Sequence, residues 1–379
     1  MSGGAPAILK FFGGVIAFIS LLSPLAYGAE VKPTWQVEWD RTVEAAKKEA
    51  QVILYSGQGY PEIFAEFQKK YPEIKVVTGS PSRPPELAQR LMTERRGGKN
   101  LVDLFIDGSS TIYYVLYKGK VLDPIKPALI LPEVLDESKW WKGKHSYQDP
   151  EGNYIFAFNG ELQSYFCYNT TLVNPDDLRS YWDLLNPKWK GKIVALDPTQ
   201  SGAGSATTLR FLYHNSELGP QFIRRFLGEM DLTASRDTRQ ITDWLAVGKF
   251  AISAFVSASR VGVVQAKKQG LPVDWFGPKT FKEGTVLSAS NGNIALVNGA
   301  PHPNAAKVAV NWLLSREGQM LYQKIYGEPD SLRIDIPKDQ VASYSRRVEG
   351  VKYFDVDQPG LMDREPIVQI VNEVWKKGK

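Results

Sequence analysis

The sequence predicts an α/β protein of two lobes, each a mixed, mostly parallel sheet covered by helices, with a ligand cleft between the lobes. Three observations carry that expectation. Between Gln51 and Ile106, apolar runs of strand length alternate with amphipathic runs of helical length, the order that builds right-handed βαβ units. The alternation recurs from Tyr165 to Val256 without repeating the first stretch's residues, and returns once more at Asn293–Gln319. At 379 residues the chain also exceeds what one hydrophobic core usually organises.

Each element follows from its own residues. Gln51–Tyr55 is an apolar strand that runs into Ser56-Gly57-Gln58-Gly59. Pro61–Tyr71 has helical periodicity through Ile63, Phe64 and Phe67. Glu73–Thr78 reads as the next strand, and a loop containing Arg83 leads to a helix near Glu86–Glu94. Leu101–Ile106 is the third strand and ends in Asp107-Gly108-Ser109-Ser110. Tyr113-Tyr114 lies in a helix-like apolar run, which suggests core packing.

In the second stretch Tyr165–Tyr168 is a strand holding the single cysteine, Cys167, read as a buried and unreactive thiol. Ile193–Leu196 is a strand, and the Gly/Ser loop Asp197–Ser205 opens a helix from about Ala206. Free N–H groups and the positive dipole end at such a loop suit an anion, but no Gly-Lys-Ser/Thr marks a nucleotide loop. Arg236 and Arg239 precede a helix over Gln240–Ala246, and the apolar run Phe250–Val256 ends in Ser257-Ala258-Ser259-Arg260.

Ligands of parallel α/β sheets sit beyond the carboxyl ends of the strands. The candidate binding residues are therefore Ser56, Gly57, Asp107, Ser109, Ser110, Ser201, Gly202, Ser205, Arg239, Ser257, Ser259 and Arg260. Hydroxyls, glycines and arginines dominate that set and point to a carboxylate, phosphonate or sugar phosphate. A polyamine would need several acids, and only Asp107 and Glu161 stand near the strand ends. No catalytic residue, metal ligand or cofactor is expected. HExxH, GxSxG and CxxC are absent, and the three histidines, His145, His214 and His302, lie in a Lys-rich loop, a helix tail and a turn.

The N-terminus predicts export. Lys10 precedes the uncharged apolar run Phe11–Leu22, Ser23-Pro24 breaks it, and Ala26-Tyr27-Gly28 supplies small residues for cleavage after Gly28 or Ala29. The run is shorter than the ~20 residues a spanning helix needs. Without residues 1–29 the chain keeps 45 basic residues (46 less Lys10) against 41 acidic, a net +4. That balance is too mild and too dispersed for a nucleic-acid binder.

Residues 291–319 join the strand Asn293–Val297, a Gly-Ala-Pro-His-Pro turn, and a helix with Ala306, Val308, Ala309, Val310, Trp312 and Leu313 at helical spacing. Ser315 then stands as N-cap of a second helix. With Pro187-Lys-Trp-Lys-Gly-Lys192 and Leu245-Ala-Val-Gly-Lys249, this order resembles the extracellular solute-binding proteins of bacterial ABC importers. The branch resembled includes ferric-iron, polyamine, thiamine, phosphonate and sugar-phosphate binders. The resemblance spans about residues 50–330 and assigns no role to 330–379.

It implies a type II periplasmic binding fold: a signal peptide at 1–29, lobe one from 30–135 and 290–379, and lobe two from 136–289. The chain should cross between lobes near 130–160 and 280–292. The implied partners are a small solute and an ABC permease in the inner membrane of a Gram-negative bacterium. The expected state is a periplasmic monomer. Laid onto this chain, the family's ferric ligands fall at Gly59 for a His, near Gly108 for a Glu, and near Ala258-Ser259 for a Tyr pair. All are missing, which argues against naked ferric iron. A ferric chelate held without tyrosines, or an exported sensor module, are the alternatives, with an enzyme behind both.

Overall fold

The computed structural model describes residues 1–5, 7, 32–57, 60–79, 83–163, 165–200, 203–256 and 262–375. The expected signal segment lies outside the described residues apart from its first few positions.

The first lobe opens with β1 (Gln51–Ser56), β2 (Lys75–Thr78), β3 (Leu104–Asp107), β4 (Leu122–Asp123), β5 (Ser146–Tyr147) and β6 (Phe156–Ala157). A short β7 (Glu161–Gln163) leads into the second lobe, built from β8 (Phe166–Asn169), β9 (Ile193–Leu196), β10 (Thr233–Ser235), β11 (Ile252–Ala254) and β12 (Val273–Trp275). β13 (Thr285–Ser288) returns the chain to β14 (Asn293–Val297), and β15 (Tyr353–Asp355) follows late.

The sheet orders are β2-β1-β3-β14-β6-β5, with β4 also on β14, and β10-β9-β11-β8-β12. β1 pairs in parallel with β2 and β3, and β9 in parallel with β10 and β11. β14 and β8 run antiparallel to their neighbours. Each is the strand by which the chain enters its sheet after a crossing, so it runs against the βαβ strands. The four residues of β3 and all five of β14 are buried, as sheet-centre strands covered on both faces must be.

Lobe one's core runs through Phe64, Phe67 and Trp312, whose rings meet at 5.3–5.8 Å between centroids. Ser315 caps the helix Arg316–Tyr326 as expected, its hydroxyl accepting from Gly318 N–H at 3.2 Å. Cys167 is buried, and burial pushes its thiol up to about 12.

Two domain boundaries differ from expectation. β5 and β6 extend the first sheet beside β14, so lobe one continues past 135 to about residue 157. The C-terminal span does not stay in lobe one. Arg333 ties it there by a bond to Leu314 C=O (3.1 Å) and an ion pair with Glu133 (3.3 Å). β15 then joins β13 and β7 in a three-stranded sheet between the lobes. Finally the helix Glu365–Val374 buries Ile367, Ile370 and Val371 in lobe two's core. The sequence pattern missed this because β15 has three residues and its strand partners lie far away in the chain.

Candidate solute-binding site

A cavity of about 1620 Å³ opens where the strand ends of both lobes converge. Its lobe-one wall comes from the ends of β1 and β3. Ser56, Gly57, Asp107, Ser109 and Ser110 all line it, as the strand-end rule predicts. Asp107 is 4% exposed, and burial pushes its carboxyl up to about 6, against the Gly108 N–H and Thr111 hydroxyl that favour the anion. Asn293 on β14 donates to the Asp107 carbonyl at 3.0 Å and fixes that strand end. Ser109 is 3% exposed and its hydroxyl has no partner among the described residues.

The lobe-two wall is built differently. Gly204, in the first turn of the helix Ala203–His214, lines the cavity. A Cβ there would stand 2.1 Å from the Phe255 carbonyl, so only glycine lets the helix start approach the end of β11. Ser205 does not line the cavity; its fully buried hydroxyl donates to the carbonyls of Leu196 (3.3 Å) and Asp197 (3.1 Å). It fastens helix to strand and is not available to a ligand. Arg239 is also outside the wall, exposed, with its backbone N–H capped by Asp237 at 2.8 Å; its neighbour Thr238 lines the cavity instead. Ser201, Gly202, Ser257, Ser259 and Arg260 lie outside the described residues, as does Gly59.

Two arginines that strand-end reasoning missed line the cavity. Arg210 is two turns into the Ala203–His214 helix and 3% exposed. Its Nη1 donates to Val356 C=O at 3.0 Å and lies 3.4 Å from Asp357 Oδ1, while its buried Nε–H has no acceptor among the described residues. Asp357 is held in turn by Ser288 Oγ (2.8 Å) and Ala289 N–H (2.9 Å) on its other oxygen. Arg364, from the C-terminal segment, also lines the cavity and has no carboxylate partner among the described residues. Burial, and then the charge of Arg210, hold its guanidinium below the ordinary arginine range. One signal for Arg210 was in the sequence: a charge set among Leu209, Phe211 and Leu212 must be paired or used.

Other expectations are corrected in place. Tyr113 is buried, but Tyr114 is 43% exposed, lines the cavity and donates its hydroxyl to the Met362 carbonyl. Glu161 sits half-buried in the interlobe sheet and does not line the cavity. Arg83 does reach the rim, paired with Glu86. No histidine is among the lining residues described. His302 is not a free surface group but is fixed between Asp103 (2.9 Å) and Gln51 (2.9 Å). Among the described residues no cluster of three or more His, Cys, Asp or Glu could hold a metal ion.

Comparison with known proteins agrees with this architecture. The cyanobacterial "Iron uptake protein A1" of Synechocystis is 21% identical over 343 residues, 87% of this chain and 88% of its own length. A "Putative 2-aminoethylphosphonate-binding periplasmic protein" of Salmonella typhi is 26% identical over 210 residues, 54% of this chain and 60% of the relative. Among solved structures, Trichodesmium FutA in complex with iron and citrate superposes with a TM-score of 0.64 at 19% identity, covering 86% of this chain and all of that one. Iron-bound HitA from Pseudomonas aeruginosa gives 0.56 at 18% identity, covering 86% and 99%. At such identities the structures speak to the fold, which is the two-lobed type II periplasmic binding fold. The relatives are binding proteins for transport and not enzymes. A sequence model described as "Bacterial extracellular solute-binding protein" matches residues 53–320, most of the chain, and this chain therefore belongs to that family, whose members bind small solutes and work with an ABC permease.

Proposed function

We propose that this protein is a monomeric periplasmic receptor that captures a small anionic solute between its lobes and hands it to the permease. Closure of the lobes by a hinge motion is the usual capture mode of such proteins. The observation that carries the reading is the charge at the cavity wall. Arg210 and Arg364 both line it, and the lining carboxylate beside Arg210, Asp357, is already engaged by Arg210, Ser288 and Ala289. A guanidinium left without an acid partner favours a carboxylate or phosphate from outside. Asp107 on the facing wall would accept an ammonium or hydroxyl at the solute's other end.

The reading is tested by thermal shift of the mature protein against carboxylates, phosphonates, sugar phosphates, polyamines and a ferric chelate. Anions should raise the melting temperature and polyamines should not. Titration with ferric nitrilotriacetate should give no visible phenolate-to-iron charge-transfer band. Stabilisation by cations alone, or a strong band, contradicts the proposal.

A further inference from the structure

The C-terminal segment is where this chain adds something to the site. It reaches the cavity only after leaving lobe one, pairing β15 with β13 in the interlobe sheet, and seating the helix Glu365–Val374 in lobe two's core. Anchored at both ends in this way, residues 355–364 cannot be a loosely attached tail. They bring Asp357 and Arg364 to the wall that already holds Arg210.

We propose that this segment and the Ala203–His214 helix together form a two-guanidinium subsite for the phosphonate or phosphate-ester end of the solute. The inference rests on the anionic-solute reading and narrows it. Two like charges placed at one wall repel each other, and the lining carboxylate beside them, Asp357, pairs with Arg210 and not with Arg364. Asp357 occupies one edge of Arg210, yet Arg210 Nε–H and the whole of Arg364 still lack acceptors among the described residues. A single planar carboxylate satisfies one guanidinium fork. Two guanidiniums on separate elements call for a group with more oxygens and up to two charges, which a phosphonate or phosphate ester supplies. Tyr114, whose hydroxyl is taken up by the Met362 carbonyl, holds residues 361–364 against the lobe-one helical turn. Solute binding and interlobe contact thus share this short stretch of chain.

The test uses Arg364→Gln in the full mature protein, titrated calorimetrically with methylphosphonate, glycerol phosphate, acetate and citrate. Arg364 is only partly buried and its removal relieves repulsion, so the unliganded variant should melt at the native temperature or slightly above it. The native protein should bind methylphosphonate or glycerol phosphate, and the variant should bind them about ten- to a hundredfold more weakly, as expected for one lost charge-assisted contact. Arg364→Lys should recover part of that loss. Equal affinity in native and Arg364→Gln proteins overturns the subsite while leaving the anion receptor standing. Binding of acetate or citrate but of neither phosphorus acid overturns the ligand class. Binding of none of the four, with a cation stabilising the protein instead, overturns the anionic reading itself.

Discussion

The two walls of the cavity differ in how they are made. Lobe one contributes strand ends: Ser56 and Gly57 at the end of β1, Asp107 and Ser109 at the end of β3, each placed by the backbone of parallel-paired strands in a buried sheet. Lobe two contributes Arg210 from within a helix and, beside it, Asp357 and Arg364 from a segment about 150 residues further on. The first wall carries an acid raised by burial, the second a pair of arginines, one of them paired with Asp357. A strand end positions whatever follows it, so chemistry there is readable from order alone. A helix interior or a late return of chain places residues by tertiary packing, which local pattern does not reveal.

The largest effect should come from Arg210→Ala. Removing the guanidinium leaves Asp357, 6% exposed, and the Val356 carbonyl without their partner. Breaking a buried ion pair on one side costs about 3–5 kcal/mol, measurable as a shift in the denaturant midpoint. A loss below about 1 kcal/mol would place this wall with ordinary surface pairs.

Asp107→Asn should act in the opposite direction. The free carboxyl titrates near 3.9 in the unfolded chain and near 6 in the native one, so between these values the native state holds the extra proton. Stability therefore falls as pH rises from about 4 to 6, and the full penalty is present at pH 7. Replacing the acid removes it, raising stability at pH 7 by about 2–3 kcal/mol and flattening the pH profile over that window. The same variant should weaken any solute that offers an ammonium group. An unchanged pH profile would show that Asp107 is better solvated than its burial implies.

Arg239→Ala should do least. Its side chain is exposed, outside the cavity and without a partner among the described residues, so stability should move by no more than about 0.5 kcal/mol. Solute affinity should be unchanged. A tenfold loss in calorimetric titration would restore it to the site and draw the second wall further toward the strand ends.

Much of this was legible in the chain. Gln51–Tyr55, Ile193–Leu196 and Asn293–Val297 are apolar runs that local sequence marks as strands, and they anchor both sheets. The lobe-one wall followed from them. Ser205 misled because a serine at a helix start can turn to the strand as readily as to the cleft, and here two β9-end carbonyls claim it. Tyr114 misled because an apolar run hides which face of a helical turn is outward. The C-terminal return depends on β15, Arg333 and Ile367 finding partners far back in sequence, for which no local pattern exists.

The most direct measurement is a crystal structure of the protein with the strongest anion from the thermal-shift series. The anionic group should lie against Arg210 and Arg364, with Asp107 and Ser109 facing the solute's other end across the closed cleft. An anion bound only on the lobe-one wall, touching neither guanidinium, would contradict the assignment of the second wall as the charge-recognising half.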